Sequence, residues 1–217
     1  MNRRSRLTMT ALLASLALAG CKSKGDIVVD EGVGITAIRS ACPSVGVPDF
    51  TGDVTLFRTP GATDAGSIDL TAAMTNVRTS CDPKSDKVYA NVSFDVQARR
   101  TDTHGARTVT LPFFVTVVRG GNAVVAKRIS AVTLQFADGQ DRASATGRGA
   151  AYIDKAEATL SREVRDRITR KRKAGDFDAA VDPLAQPDVR TAVARATFDV
   201  FVGFQLSNAQ FQYNVTR

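Results

Sequence analysis

The sequence predicts a mostly β protein, an antiparallel immunoglobulin-like sandwich of about seven or eight strands. Three observations point there. Runs rich in β-branched and aromatic residues recur along the chain, each closed by Gly, Pro, Asn or Asp. In the clearest run, 88–100, Val88, Ala90, Val92, Phe94, Val96 and Ala98 point one way, and Tyr89, Asn91, Ser93, Asp95, Gln97 and Arg99 point the other. That period of two means one buried face and one wet face. Only the stretch 155–173 changes to a helical spacing, so successive hairpins fit better than crossover units. The chain has no Trp, one hallmark of antibody domains.

Taken in order, a first strand is expected over 36–42, stopped by Pro43. The next, 53–59, ends at Pro60-Gly61, and a long run, 67–81, ends at Asp82-Pro83. After 88–100 comes a turn, Thr101 to Gly105, and then the strand 108–119, with Val109, Leu111, Phe113, Val115 and Val117 on one face. Pro112 lies inside that strand and lacks an N–H, which predicts an edge strand or a bulge. Gly120-Gly121-Asn122 makes a tight hairpin turn into 123–136. The apolar phase of 123–136 shifts between Val124 and Val132, which places a bulge or bend near 128–131. A weaker strand, 143–154, follows Asp138-Gly139.

At 155–173 the residues Ala156, Leu160, Val164 and Ile168 recur every four positions among charges, a narrow helical stripe. The loop 174–188 is rich in Asp, Ala and Pro, and 189–195 extends a short helix. A last strand, 196–206, keeps Ala196, Phe198, Val200, Val202, Phe204 and Leu206 in phase, and Ser207 caps a short C-terminal helix. The segment 35–217 is therefore read as one β domain with a helical insertion at 155–190.

Residues 1–20 read as a leader. Arg3, Arg4 and Arg6 precede an apolar run from Leu7 to Ala19, and lysines follow at once. A spanning helix needs about 20 apolar residues, so a cleaved signal peptide is the better reading. Leu18-Ala19-Gly20-Cys21 resembles a bacterial lipobox. The resemblance implies a lipoprotein with diacylglycerol on the Cys21 thiol, cleavage before Cys21 and acylation of the new amine. Several acyl chains give stable anchoring where one does not. Lys22 rather than Asp follows the cysteine, and by the same resemblance this favours the outer membrane, with the domain facing the periplasm. Residues 21–34 then form a lipidated tether.

Without the leader the charge balance falls from +7 to +4, and residues 162–173 alone carry +5. Basicity confined to one segment argues against nucleic acid as a partner. With Cys21 lipidated, Cys42 and Cys81 remain, and in an oxidising compartment they most simply form one disulfide. The alternatives are two thiols or half a metal site.

The segment Phe201-Val-Gly-Phe-Gln-Leu206, continuing to Phe211, Tyr213 and Asn214, carries a second resemblance. Together with Cys42-Pro43, Phe114-Val115, Asn122 and Val124-Val125-Ala126-Lys127, it is similar to an uncharacterised family of envelope lipoproteins from α-proteobacteria. That resemblance implies location and domain type, and no activity.

No catalytic residue, metal site or cofactor is expected. His104, the sole histidine, sits in a polar turn, and no Gly-x-Ser-x-Gly elbow accompanies it. Asp176, Asp178 and Asp182 lack the Gly turn and terminal Glu of a calcium loop. Gly147 and Gly149 belong to no phosphate-binding fingerprint. The basic segment, Arg162, Arg165, Arg167, Arg170, Lys171, Arg172 and Lys173, is the candidate contact for an anionic lipid, a glycan or an acidic envelope protein. The alternative is a solvated helix packed through Leu160, Val164 and Ile168. The expected function is an outer-membrane-anchored, non-catalytic interaction or structural module of the envelope. The second reading is a lipid- or glycan-binding module with a pocket in the sandwich.

Overall fold

The computed structural model describes residues 41–217. Residues 41–169 and 181–217 belong to one compact unit; residues 170–180 belong to a second and are described by themselves. The expected first strand, 36–42, lies mostly outside the described residues.

Eight strands are present among the described residues. They are β1 (Ser44–Gly46), β2 (Asp53–Phe57), β3 (Ile68–Asp82), β4 (Lys87–Arg100), β5 (Arg107–Arg119), β6 (Ala123–Phe136), β7 (Arg142–Asp154) and β8 (Phe198–Phe204). One sheet has the order β1-β8-β5-β6 and the other β2-β3-β4-β7. All neighbours are antiparallel except β1 and β8, which run parallel. The expected purely antiparallel arrangement is corrected there. Ala41 and Cys42 are not strand, and the short strand follows Pro43 instead of preceding it.

The alternation read in the sequence sets the core. Val88, Ala90, Val92, Phe94, Val96 and Ala98 of β4 are all buried, and Tyr89, Asn91, Gln97 and Arg99 are exposed. From the other sheet come Val109, Leu111, Phe113, Val115 and Val117 of β5, with Phe198, Val200, Val202 and Phe204 of β8. The rings of Phe94 and Phe113 meet edge to face, 4.9 Å between centroids, so the two sheets share one core. Each such side chain contributes about 1.5–3 kcal/mol by leaving water.

Pro112 does not mark an edge, because β5 lies between β6 and β8. Its carbonyl accepts from the Gln205 N–H at 2.9 Å, so its backbone faces β8 where that strand's ladder has already ended at Phe204. The missing N–H therefore costs no ladder bond. The bulge in the β5–β6 pair also lies elsewhere. Residues 128–131 pair regularly with 112–115, and the register shifts between Val117 and Val118, opposite Val125. The turn at 120–122 forms as expected, with Gly120 and Gly121 at φ 62° and 82°.

The predicted helix over 155–173 is corrected to α1 (Arg162–Thr169). Residues 155–160 form turns, tied by the Asp154 carboxylate accepting from the Ala156 N–H at 3.0 Å. The helix starts at Ser161, whose hydroxyl accepts from Val164 N–H at 3.3 Å. After α2 (Pro187–Arg195) and β8, the chain ends in α3 (Asn208–Thr216). Ser207 caps α3, and a reciprocal bond from its own N–H to the Gln210 side chain completes a capping box. The side chain of Asn214, buried, donates to the carbonyls of Phe50 and Asp53 at 2.8 and 2.9 Å, which docks α3 beside β2.

Candidate functional site

Cys21, and with it the lipobox, lies outside the described residues. Cys42 and Cys81 are joined by a disulfide, with an S–S distance of 2.06 Å. Cys42 leads into β1 of one sheet and Cys81 stands near the end of β3 in the other, so the bond links the two sheets.

The basic segment is divided between the two units, with Arg162, Arg165 and Arg167 in the larger one. Arg167 is tied to Asp188 at 2.5 Å, to Glu163 at 3.2 Å and to the Gln186 amide at 3.4 Å. The Arg167 guanidinium holds the Asp188 carboxyl below the usual carboxylate range, and Asp188 in turn pushes Arg167 up. Arg162 and Arg165 are exposed; Arg162 approaches Asp166 at 3.9 Å. In residues 170–180, Asp178 accepts from Arg170 and lies 3.6 Å from the buried Arg172 guanidinium. The Lys173 N–H bonds Asp176. Asp178 and Asp176 thus act as local partners of the basic run. Asp182, in the larger unit, caps the short 3-10 turn Pro183–Ala185 by accepting from Leu184 N–H. No group of metal-ligating side chains forms among the described residues.

His104 is almost fully exposed. Its Nδ1 lies 2.8 Å from Asp102 Oδ1, the same oxygen that accepts the His104 backbone N–H. That backbone bond, followed by the ring contact, holds the Asp102 carboxyl below its usual range. A carboxylate does orient the imidazole, but the pair stands in a turn open to solvent.

Two surfaces were not singled out in the sequence. The first is an open groove of about 1030 Å3 between β2, the loop 58–63 and α3. Phe57 and Tyr213 meet edge to face in it at 5.0 Å, and Thr55, Thr59, Gln210 and Gln212 supply polar groups. The second is the first half of β6. All of 123–131 is exposed on both faces, and apolar burial starts only at Val132. Period-two reading located the strand but not this, since exposure depends on how far the facing sheet extends.

Other residues were also missed. Arg100 continues the buried face of β4 and is 2% exposed. The signal was available, since Arg100 is in phase with Ala98. Gly147 and Gly149 are spacers: a Cβ at Gly147 would lie 2.2 Å from the Phe94 ring, and one at Gly149 would lie 2.5 Å from Val115. No helix among the described residues is long and apolar enough to cross a membrane. Comparison with protein-family models, with curated proteins and with solved structures returns no match.

Proposed function

We propose that the chain is a lipid-anchored module of the bacterial envelope, held at the outer membrane through Cys21, with an immunoglobulin-like sandwich that works by binding and not by catalysis. The observation that carries the binding half is the edge of β6, exposed on both faces over 123–131 and unpaired among the described residues, a ready template for strand addition. The Cys42–Cys81 disulfide supports an oxidising compartment, in keeping with export. The sequence at 18–21 supports the anchor.

Arg162 and Arg165 of the larger unit, and separately Arg170, Lys171 and Lys173 of residues 170–180, are candidates for contact with an anionic surface, each such charge being worth about 1 kcal/mol at an anionic bilayer.

The test is fractionation. Cys21→Ser is expected to move the protein from the membrane pellet to the supernatant, with mass spectrometry showing the wild-type chain acylated at Cys21. Unchanged sedimentation of the variant, or an unmodified amino terminus on the wild type, removes the anchor. A second reading, a lipid- or glycan-binding module, is favoured by the β2–α3 groove, whose size suits a small ligand and whose lining mixes aromatic rings with hydroxyls and amides.

A further inference from the structure

Among the described residues β6 is the last strand of its sheet and hydrogen-bonds only to β5. Every second residue of an antiparallel edge strand turns its N–H and C=O away from its one partner. Over 123–131 no other strand pairs with those groups among the described residues. Val124, Val125 and Ile129 are 65%, 47% and 63% exposed there. Two cations stand among them. Lys127 lies over the Phe114 ring at 5.0 Å and Arg128 over the Tyr152 ring at 5.5 Å. Neither forms an ion pair with a described residue, whereas Arg107 and Arg119 of the neighbouring β5 are bonded to Asp69 and Glu157. Being adjacent in a strand, Lys127 and Arg128 point to opposite faces. The Phe114 ring of β5 holds Lys127 against its own sheet and the Tyr152 ring of β7 holds Arg128 at the edge of the other sheet, so less rotamer freedom is lost when a carboxylate meets them.

We propose that the first half of β6 is a docking edge for an extended acidic segment of a partner protein. The segment adds as a strand beside β6. It places one carboxylate on each face, opposite Lys127 and Arg128, with β-branched residues on either side meeting Val124, Val125 and Ile129. Charge complementarity selects this occupant. A second copy paired antiparallel across the same edge crowds four cations together, and a register centred on Lys127 or on Arg128 sets that residue directly opposite its own counterpart, where like charges are unfavourable. An anionic lipid surface matches the charges but leaves the backbone groups unpaired. The inference rests on the binding reading given above and adds the site and the chemistry of the partner.

The test uses the purified full-length chain in detergent. The probe is a fluorescein-labelled peptide of about eight residues, a typical strand length, alternating Val or Ile with Thr around a central Glu-Asp pair. Fluorescence anisotropy is expected to show saturable binding. Lys127→Glu with Arg128→Glu should weaken it by about tenfold or more, as should raising the salt to about 0.5 M. The single change Arg142→Glu, at the start of β7, should leave it unchanged. Peptides N-methylated at alternate positions separate strand addition from diffuse attraction. Methylation on the register facing β6 should abolish binding, and methylation on the other register should not. Absent binding, binding equal in the Lys127→Glu/Arg128→Glu chain, or indifference to methylation register overturns the proposal. So does self-association of the wild type through β6 in sedimentation, lost in an Ile129→Asp variant. Retained peptide binding by a chain that fails the Cys21→Ser fractionation leaves this edge standing without the anchor, and the reverse result removes the edge alone.

Discussion

Asp69 illustrates how single residues join the two sheets. It occupies the bulge of β3, passed over where Leu56 pairs with Leu70 and Phe57 with Ile68. Its carboxylate accepts two bonds from Arg107 of β5, at 2.7 and 2.6 Å. Arg107 therefore holds the Asp69 carboxyl below the usual carboxylate range, and Asp69 pushes the guanidinium up. Arg100 works nearby without any acid. Its guanidinium donates to the carbonyls of Gln140, Thr103 and Ala137 and stacks 5.2 Å from Phe136, which fastens the 101–105 turn to the 137–141 turn. For Asp69 the sign of the pH effect follows from the depressed folded value. Its contribution is complete above the unfolded value, about pH 4, and is lost as the pH falls through the folded one. Asp69→Asn should lose about 1–2 kcal/mol at pH 7. The gap to wild type should close below about pH 4. Urea titrations of both chains at neutral and acid pH measure this; a gap that is constant or widens in acid contradicts it.

At the scale of the element, legibility followed burial. β4 and β8 are readable because one face of each is wholly core, and alternation runs along all of β4 and as far as Val202 in β8. Pro112 and the bulge of β6 were misplaced because neighbours decide both: proline is harmless where an adjacent ladder stops, and the bulge sits next to the hairpin turn. The helix at 155–173 was overdrawn because Ala156 and Leu160 keep the four-residue spacing while a turn supplies it; the better signal was Ser161 followed by Glu163 in the first turn. β7 shows a different limit. It read as small and polar, and its two glycines had no role in the sequence. In the fold they make room for Phe94 and Val115 of the strands they face. Since the clash at Gly147 is with one ring, Gly147→Ala should cost about 1–3 kcal/mol by overpacking. In a Phe94→Leu background the added cost should be smaller, a coupling of about 1 kcal/mol or more. Additive effects across this double-mutant cycle in urea would show that the ring is not what the glycine accommodates.

For the whole molecule, the question is what holds the β1 side of the first sheet to its partner. β1 is three residues long and, among the described residues, pairs only with β8. Three paired residues, the Ser44 hydroxyl on Asp199 and the packing of Val45 on the core are what this short strand offers, and the chain from Cys42 must pass through it to β2. The disulfide supplies the constraint by tying Cys42 to Cys81, 39 residues away on β3 of the opposite sheet. By the chain-entropy relation a loop of that length stabilises the folded state by about 4 kcal/mol, a large share of the roughly 5–15 kcal/mol typical of a domain. On the proposed reading, lipid attachment at Cys21 would fix the place and the Cys42–Cys81 bond would help the domain stay folded there. The joint variant Cys42→Ser/Cys81→Ser should lose about 4 kcal/mol in urea unfolding and become indifferent to reductant. Wild type in reductant should fall to the same midpoint. Equal midpoints for oxidised wild type and variant, or two free thiols counted on the denatured, unreduced chain, would rule the staple out. The β1 edge would then need another tether.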